Sequence, residues 1–109
     1  MSKQTEILCE IIEERGRQDL IHGLQDLPIK PSNREFTRRF EGLEKEAKES
    51  YALAESTGNL TYYDIAWEEF CEVFAETDPK RQREELIQFS AVTLEMIEYL
   101  DRRYPRKGV

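Results

Sequence analysis

The sequence predicts an all-α fold, on three observations. Apolar residues recur every three or four positions in four separate stretches, helix-capping residues open those stretches, and no strand can be read between them. The third and fourth stretches are separated only by the break at Asp78-Pro79, and so short a connection forces the helices on either side to be antiparallel neighbours. The expected architecture is a single domain over residues 1–109, an antiparallel four-helix bundle.

The first helix is expected from about Thr5 to His22. Ile7, Leu8, Ile11, Ile12, Leu20 and Ile21 lie on one side, with Glu10, Glu13, Glu14 and Arg17 opposite. "GLQDLPIKPS" comes next, a loop marked by its glycine and two prolines. Ser32-x-x-Glu35 has the spacing of a capping box and opens the second helix. The stripe Phe36, Phe40, Leu43, Ala47, Tyr51 and Ala54 carries that helix to just before Gly58, with Glu44, Lys45, Lys48 and Glu49 read as a solvated face. Thr61-x-x-Asp64 caps a third helix reaching about Thr77, whose apolar side is Tyr63, Ala66, Phe70, Val73 and Phe74. Asp78 suits the N-cap and Pro79 the first turn of a fourth helix that runs to about Arg103, since a proline there has no amide to waste. Ten of the fifteen residues from Leu86 to Leu100 are apolar and surround that helix, so it is expected to be buried on more than one face.

Composition narrows the function. Sixteen basic against 23 acidic residues give a net charge of −7, with the basic residues scattered, which argues against a nucleic-acid partner held by its backbone. A small phosphate ligand that arrives with cations is not excluded by an acidic chain. Cys9 and Cys71 fall within helical patterns and read as reduced thiols, consistent with the cytoplasm. No leader is legible, and no stretch has the roughly 18 apolar residues of a membrane span, so no membrane partner is expected.

The acids carry the chemistry. Glu69 and Glu72 stand one turn apart on the third helix, and Glu85 and Gln88 one turn apart on its antiparallel neighbour. Glu85 shares a face with Phe89, Val92 and Met96, and Gln88 with Val92 and Tyr99, so neither begins a plainly solvated stripe. Charged groups at the edge of a buried face are costly unless paired or bound to metal, so the two pairs are expected to converge. Three carboxylates and an amide suit a hard divalent cation, Mg²⁺ or Mn²⁺, and a cation held this way keeps positions open for water and phosphate oxygens.

Glu68-Glu69-x-x-Glu72, followed after twelve intervening residues by Glu85-x-x-Gln88, resembles the EExxE…ExxD signature of the MazG-like all-α nucleoside triphosphate pyrophosphohydrolases. "IIEERGRQDLIHG", "AESTGNLTYYDI" and "FAETDPKRQREELIQFSAVTLEMIEYLDRR" extend the likeness over most of the chain, toward short bacterial and phage-borne members. The resemblance implies Mg²⁺-dependent cleavage of an NTP or dNTP to the monophosphate and pyrophosphate, in a helical bundle that forms a homodimer or higher oligomer. It makes Glu69, Glu72 and Glu85 the catalytic and metal-binding residues, with Gln88 in the fourth metal position and Glu68 a neighbouring acid. Two departures stand out. Gln88 replaces the signature's aspartate, and the chain ends soon after the fourth helix, where many members continue, so a partner chain is expected to complete the bundle.

Arg102 and Arg103, with Arg106 and Lys107, are candidates for contacting the triphosphate, against the alternative that they complement a helix C-terminus. Gln18 and Asp19, with His22, lie in a segment that could approach the base; His22 alone reads as a cap or surface residue. Trp67, Tyr62 and Tyr63 could stack on a base but read first as core or interface. The rival reading is a MazG-like scaffold without chemistry, a nucleotide-binding or protein-interaction module, and Gln88 is the residue that favours it.

Overall fold

The computed structural model describes residues 1–30 and 33–106, and these contain four α-helices and no strand. They are α1 (Lys3–His22), α2 (Arg34–Ser56), α3 (Tyr62–Ala75) and α4 (Pro79–Arg103). None is long and apolar enough to cross a membrane.

The helix ends follow from side chains that take up free backbone amides. Ser2 accepts from the Thr5 amide at 3.1 Å, so α1 begins two residues before the expected start. Ser32 lies outside the described residues; the observed cap of α2 is Asn33, whose Oδ1 accepts from the Glu35 amide at 2.8 Å. At the other end of α2, Gly58 adopts φ +73°, its amide donates to the Glu55 carbonyl, and the Asn59 amide donates to the Ala54 carbonyl at 2.8 Å. The Thr61/Asp64 capping box is present as expected. Helix α3 stops at Ala75, short of Thr77, because the Glu76 carboxylate accepts from the amides of Thr77 and Asp78, both at 3.1 Å, and turns the chain. Asp78 then accepts from the Arg81 amide at 3.2 Å and starts α4 at Pro79.

The chain forms two compact units, Met1–Leu27 with Leu94–Val109, and Pro28–Thr93. In the first, Ile7 is buried, and polar ties join the chain ends: Lys3 to Asp101 at 3.2 Å, Gln4 to Glu98 at 3.3 Å, and Arg106 to Glu10 at 3.3 Å. The expected apolar side of α1 is otherwise exposed, with Leu8, Ile11, Ile12, Leu20 and Ile21 all open to solvent. A stripe this wide exceeds what a narrow helix–helix seam covers. The fourth helix is likewise less buried than its composition suggested, since Ile87, Tyr99 and Leu100 are exposed.

The second unit holds the aromatic core. Phe40 of α2 meets Phe74 and Phe70 of α3 at ring-centroid distances of 5.4 and 6.0 Å, and Phe70 meets Phe89 of α4 at 6.1 Å. Ala47, Cys71 and Val73 are buried among the described residues of this unit, whereas Tyr63, expected on the apolar side of α3, is exposed. Burial pushes the Cys71 thiol up to about 11, aided by the charges of Glu44 and Glu72, which leaves it protonated and unreactive.

Helices α3 and α4 are antiparallel where they meet. Phe70 faces Phe89, and Val73, three residues on, faces Gln82, seven residues back. Gln82 is buried, and its Nε2 donates to the Val73 carbonyl at 3.1 Å, satisfying an acceptor near the C-terminal end of α3. This bond fixes the start of α4 against the end of α3, one turn before Glu85. Gln82→Ala leaves that carbonyl without its partner and is expected to cost about 1–3 kcal/mol in urea unfolding, whereas Gln→Ala at exposed Gln88 should cost well under 1 kcal/mol.

Candidate metal centre

Three of the acids named from the sequence converge. Glu69 and Glu72 of α3 and Glu85 of α4 each bring one carboxylate oxygen to within 4.8 Å of the other two. The helical spacing supplies the first two from one face, and the antiparallel seam below Phe70–Phe89 supplies the third. All three residues are half-buried.

Their electrostatics are unbalanced. Among the described residues, none of the three has a lysine or arginine within ion-pair distance. The Oε2 atoms of Glu69 and Glu85 are shut off from solvent and have no hydrogen-bond partner. Such atoms are costly, because a carboxylate oxygen gives up its hydration and receives nothing back.

The protein offsets part of that cost with a proton. Burial raises the Glu72 carboxyl first, then its hydrogen bond to Glu85 and the negative charges of Glu69, Glu85 and Glu68, and together these push it up to about 8. Glu69 is also raised, by burial and then by the charges of Glu85 and Glu68, while its hydrogen bond with Glu72 pulls the other way. Near neutral pH the Glu72 carboxyl therefore favours its protonated form, which lowers the repulsion among the three acids.

An all-oxygen donor set with two unpartnered, buried acceptors can hold a hard divalent cation of the Mg²⁺ or Mn²⁺ type. Gln88, one turn beyond Glu85, is exposed. Beside the acids, Tyr63, Ala66, Trp67, Phe70 and Phe89 line an open apolar hollow of about 320 Å³, with Trp67 stacked on Phe70 at 5.9 Å.

The remaining candidates belong to the other unit. Arg102 and Arg103 are exposed in the last turn of α4, where their charge complements the helix C-terminus. Arg106 pairs with Glu10, and Lys107 lies outside the described residues. Gln18 and Asp19 line a polar hollow of about 290 Å³ with Arg15 and His22, and both are held by the Arg15 guanidinium, at 2.7 and 2.6 Å.

Of the face of α2 expected to be solvated, Lys45, Lys48 and Glu49 are exposed, while Glu44 is half-buried and pairs with Lys48 at 2.9 Å. Glu44, Lys48, Tyr51 and Glu55 succeed one another by three or four, a spacing visible in the sequence, but nothing in the sequence told which helix that face meets.

Comparison with protein-family models, with curated proteins and with solved structures gives no match for this chain.

The raised Glu72 carboxyl has a consequence for stability. In the unfolded chain it loses its proton near 4.5, and in the folded protein near 8, so between those values the folded state binds more protons. Its contribution is fully present below 4.5 and is lost as the pH rises through about 8. The metal-free protein should show a falling Tm across that window, and Glu72→Gln, which cannot ionise, should flatten the decline; a Tm that rises through the window in both proteins would contradict the assignment.

Proposed function

We propose that this chain is a nucleoside triphosphate pyrophosphohydrolase that cleaves an NTP or dNTP to the monophosphate and pyrophosphate with Mg²⁺ or Mn²⁺. The observation that carries the reading is the convergence of Glu69, Glu72 and Glu85 from two helices without a basic partner. It agrees with what the resemblance to MazG-like enzymes implies for the same three residues.

When bound, the divalent cation supplies neutralisation of phosphate charge and a more acidic water. Glu69 and Glu85, with their unpartnered oxygens, are the residues to hold it. Glu72 is suited to move a proton, since it holds one near neutral pH and gives it up when positive charge arrives nearby. Glu68, whose charge acts on both Glu69 and Glu72, adds to the negative field of the site. Gln88 can offer a carbonyl oxygen or orient a water, but it brings no charge and cannot serve as base. The hollow walled by Trp67 and Phe70 is of a kind to accept a flat nucleobase by stacking.

The same reading includes a cytoplasmic setting and a MazG-like antiparallel four-helix bundle completed by a second copy, supported by the exposed apolar stripe of α1. Light scattering on the purified chain should then give twice the chain mass or more. The second reading, a scaffold without chemistry, is favoured by Gln88, the glutamine where the signature has aspartate.

A panel of NTPs and dNTPs with Mg²⁺ or Mn²⁺ decides between the two. The enzyme reading expects release of pyrophosphate from at least one, with Glu72→Gln lowering turnover about 100-fold or more, in the range typical of a lost acid–base group. No pyrophosphate from any of them, with or without Gln88→Asp, supports the scaffold. If Gln88 is simply a missing ligand, Gln88→Asp raises turnover; a fall would mean the amide has a role of its own.

A further inference from the structure

The metal centre leaves a charge problem that the acids alone do not solve. Three carboxylates outweigh one divalent cation by a unit of negative charge, and the ligand proposed for the site is a polyphosphate anion. A basic group within reach is needed, and it must stand off the carboxylates so that it does not occupy their place.

Helix α2 places one there. Its register against α3 is set by Phe40 facing Phe74. The two helices are antiparallel, because they pack on each other and only residues 57–61 join them. Two turns beyond Phe40, at about 1.5 Å per residue, the Lys48 backbone comes level with Ala66, and its side chain runs back to Glu44, which stands level with Phe70, between Glu68 and Glu72. The negative charges of both act on its ammonium group, in addition to the nearer Glu44. Glu44 pairs with Lys48 at 2.9 Å and steadies the head of a side chain that is about half exposed. Buried Ala47, next to Lys48, brings the α2 backbone close to α3.

We propose that Lys48 is a phosphate-binding residue of this site, a point charge on a flexible stem that swings between Glu44 and a non-bridging oxygen of the polyphosphate chain. The proposal rests on the reading of Glu69, Glu72 and Glu85 as a cation site. A lysine serves such a role through charge and three rotatable donors and does not need a fixed fork. Glu44 holds it clear of the carboxylates until the anion arrives. An exposed ion pair of this type contributes little to stability, so the pair can be broken at small cost.

The test uses the full chain, with Mn²⁺ and inorganic pyrophosphate as probes, followed by titration calorimetry and thermal melting. Wild type should bind Mn²⁺, and pyrophosphate in its presence. Lys48→Ala should leave Mn²⁺ affinity unchanged or higher while weakening pyrophosphate about tenfold or more, the scale of one lost charged contact. Lys48→Arg should restore most of the loss, and Lys45→Ala, on an exposed neighbour, should behave as wild type. Pyrophosphate affinity within twofold of wild type in Lys48→Ala, or a parallel loss of Mn²⁺, overturns the role of Lys48 while leaving the cation site standing. A wild type that binds neither probe overturns the cation site and this inference with it.

Discussion

Mutual repulsion among three half-buried carboxylates is the constraint around which the second unit is arranged. Placed on an isolated helix, Glu69 and Glu72 would splay into water, and their negative charges would cost little. They are kept together with Glu85 because α4 is pinned to α3 at two levels, by the buried Gln82 bond to the Val73 carbonyl and by the Phe70–Phe89 contact. The turn between them is equally determined, with Glu76 collecting two amides and Asp78 capping α4. A tight turn thus becomes a cluster of like charges.

A fold with marginal stability does not gather such a cluster without some compensation. A proton held on Glu72 is the compensation available to the chain by itself. A divalent cation would be a better one, since it meets the orphaned oxygens of Glu69 and Glu85 directly and releases the proton. The two states are linked: whatever raises the affinity of Glu72 for its proton opposes cation binding, and higher pH favours the cation. Helix α2 adds a third element, a lysine that feels the same field from a distance and is already engaged by its own glutamate.

Much of this was legible in the chain. The four helices follow from apolar spacing, and the Thr61/Asp64 box and the Asp78-Pro79 break locate the ends of the two that carry the acids. Convergence of Glu69, Glu72 and Glu85 followed from equal spacing on two helices joined by a tight turn. The part that was not legible depends on tertiary partners. Ser2 and Asn33 act as caps that the pattern did not single out, because Ser, Thr, Asn and Asp are all eligible and the backbone geometry chooses among them. The apolar stripe of α1 predicted burial, yet Leu8 and Ile12 are exposed, since periodicity says that a face is apolar without saying what covers it. Lys48 is exposed as its pattern suggested, whereas Glu44 is half-buried, since the Phe40–Phe74 register sets its end of that face against α3.

The most direct test of a carboxylate cation site that holds a proton on Glu72 when empty is titration calorimetry of Mn²⁺ into the protein near neutral pH, in two buffers of different ionisation enthalpy. Displacement of the Glu72 proton predicts that close to one proton is released per Mn²⁺ bound, and that Glu72→Gln abolishes the release. Mn²⁺ binding without proton release, or proton release that persists in Glu72→Gln, would contradict it.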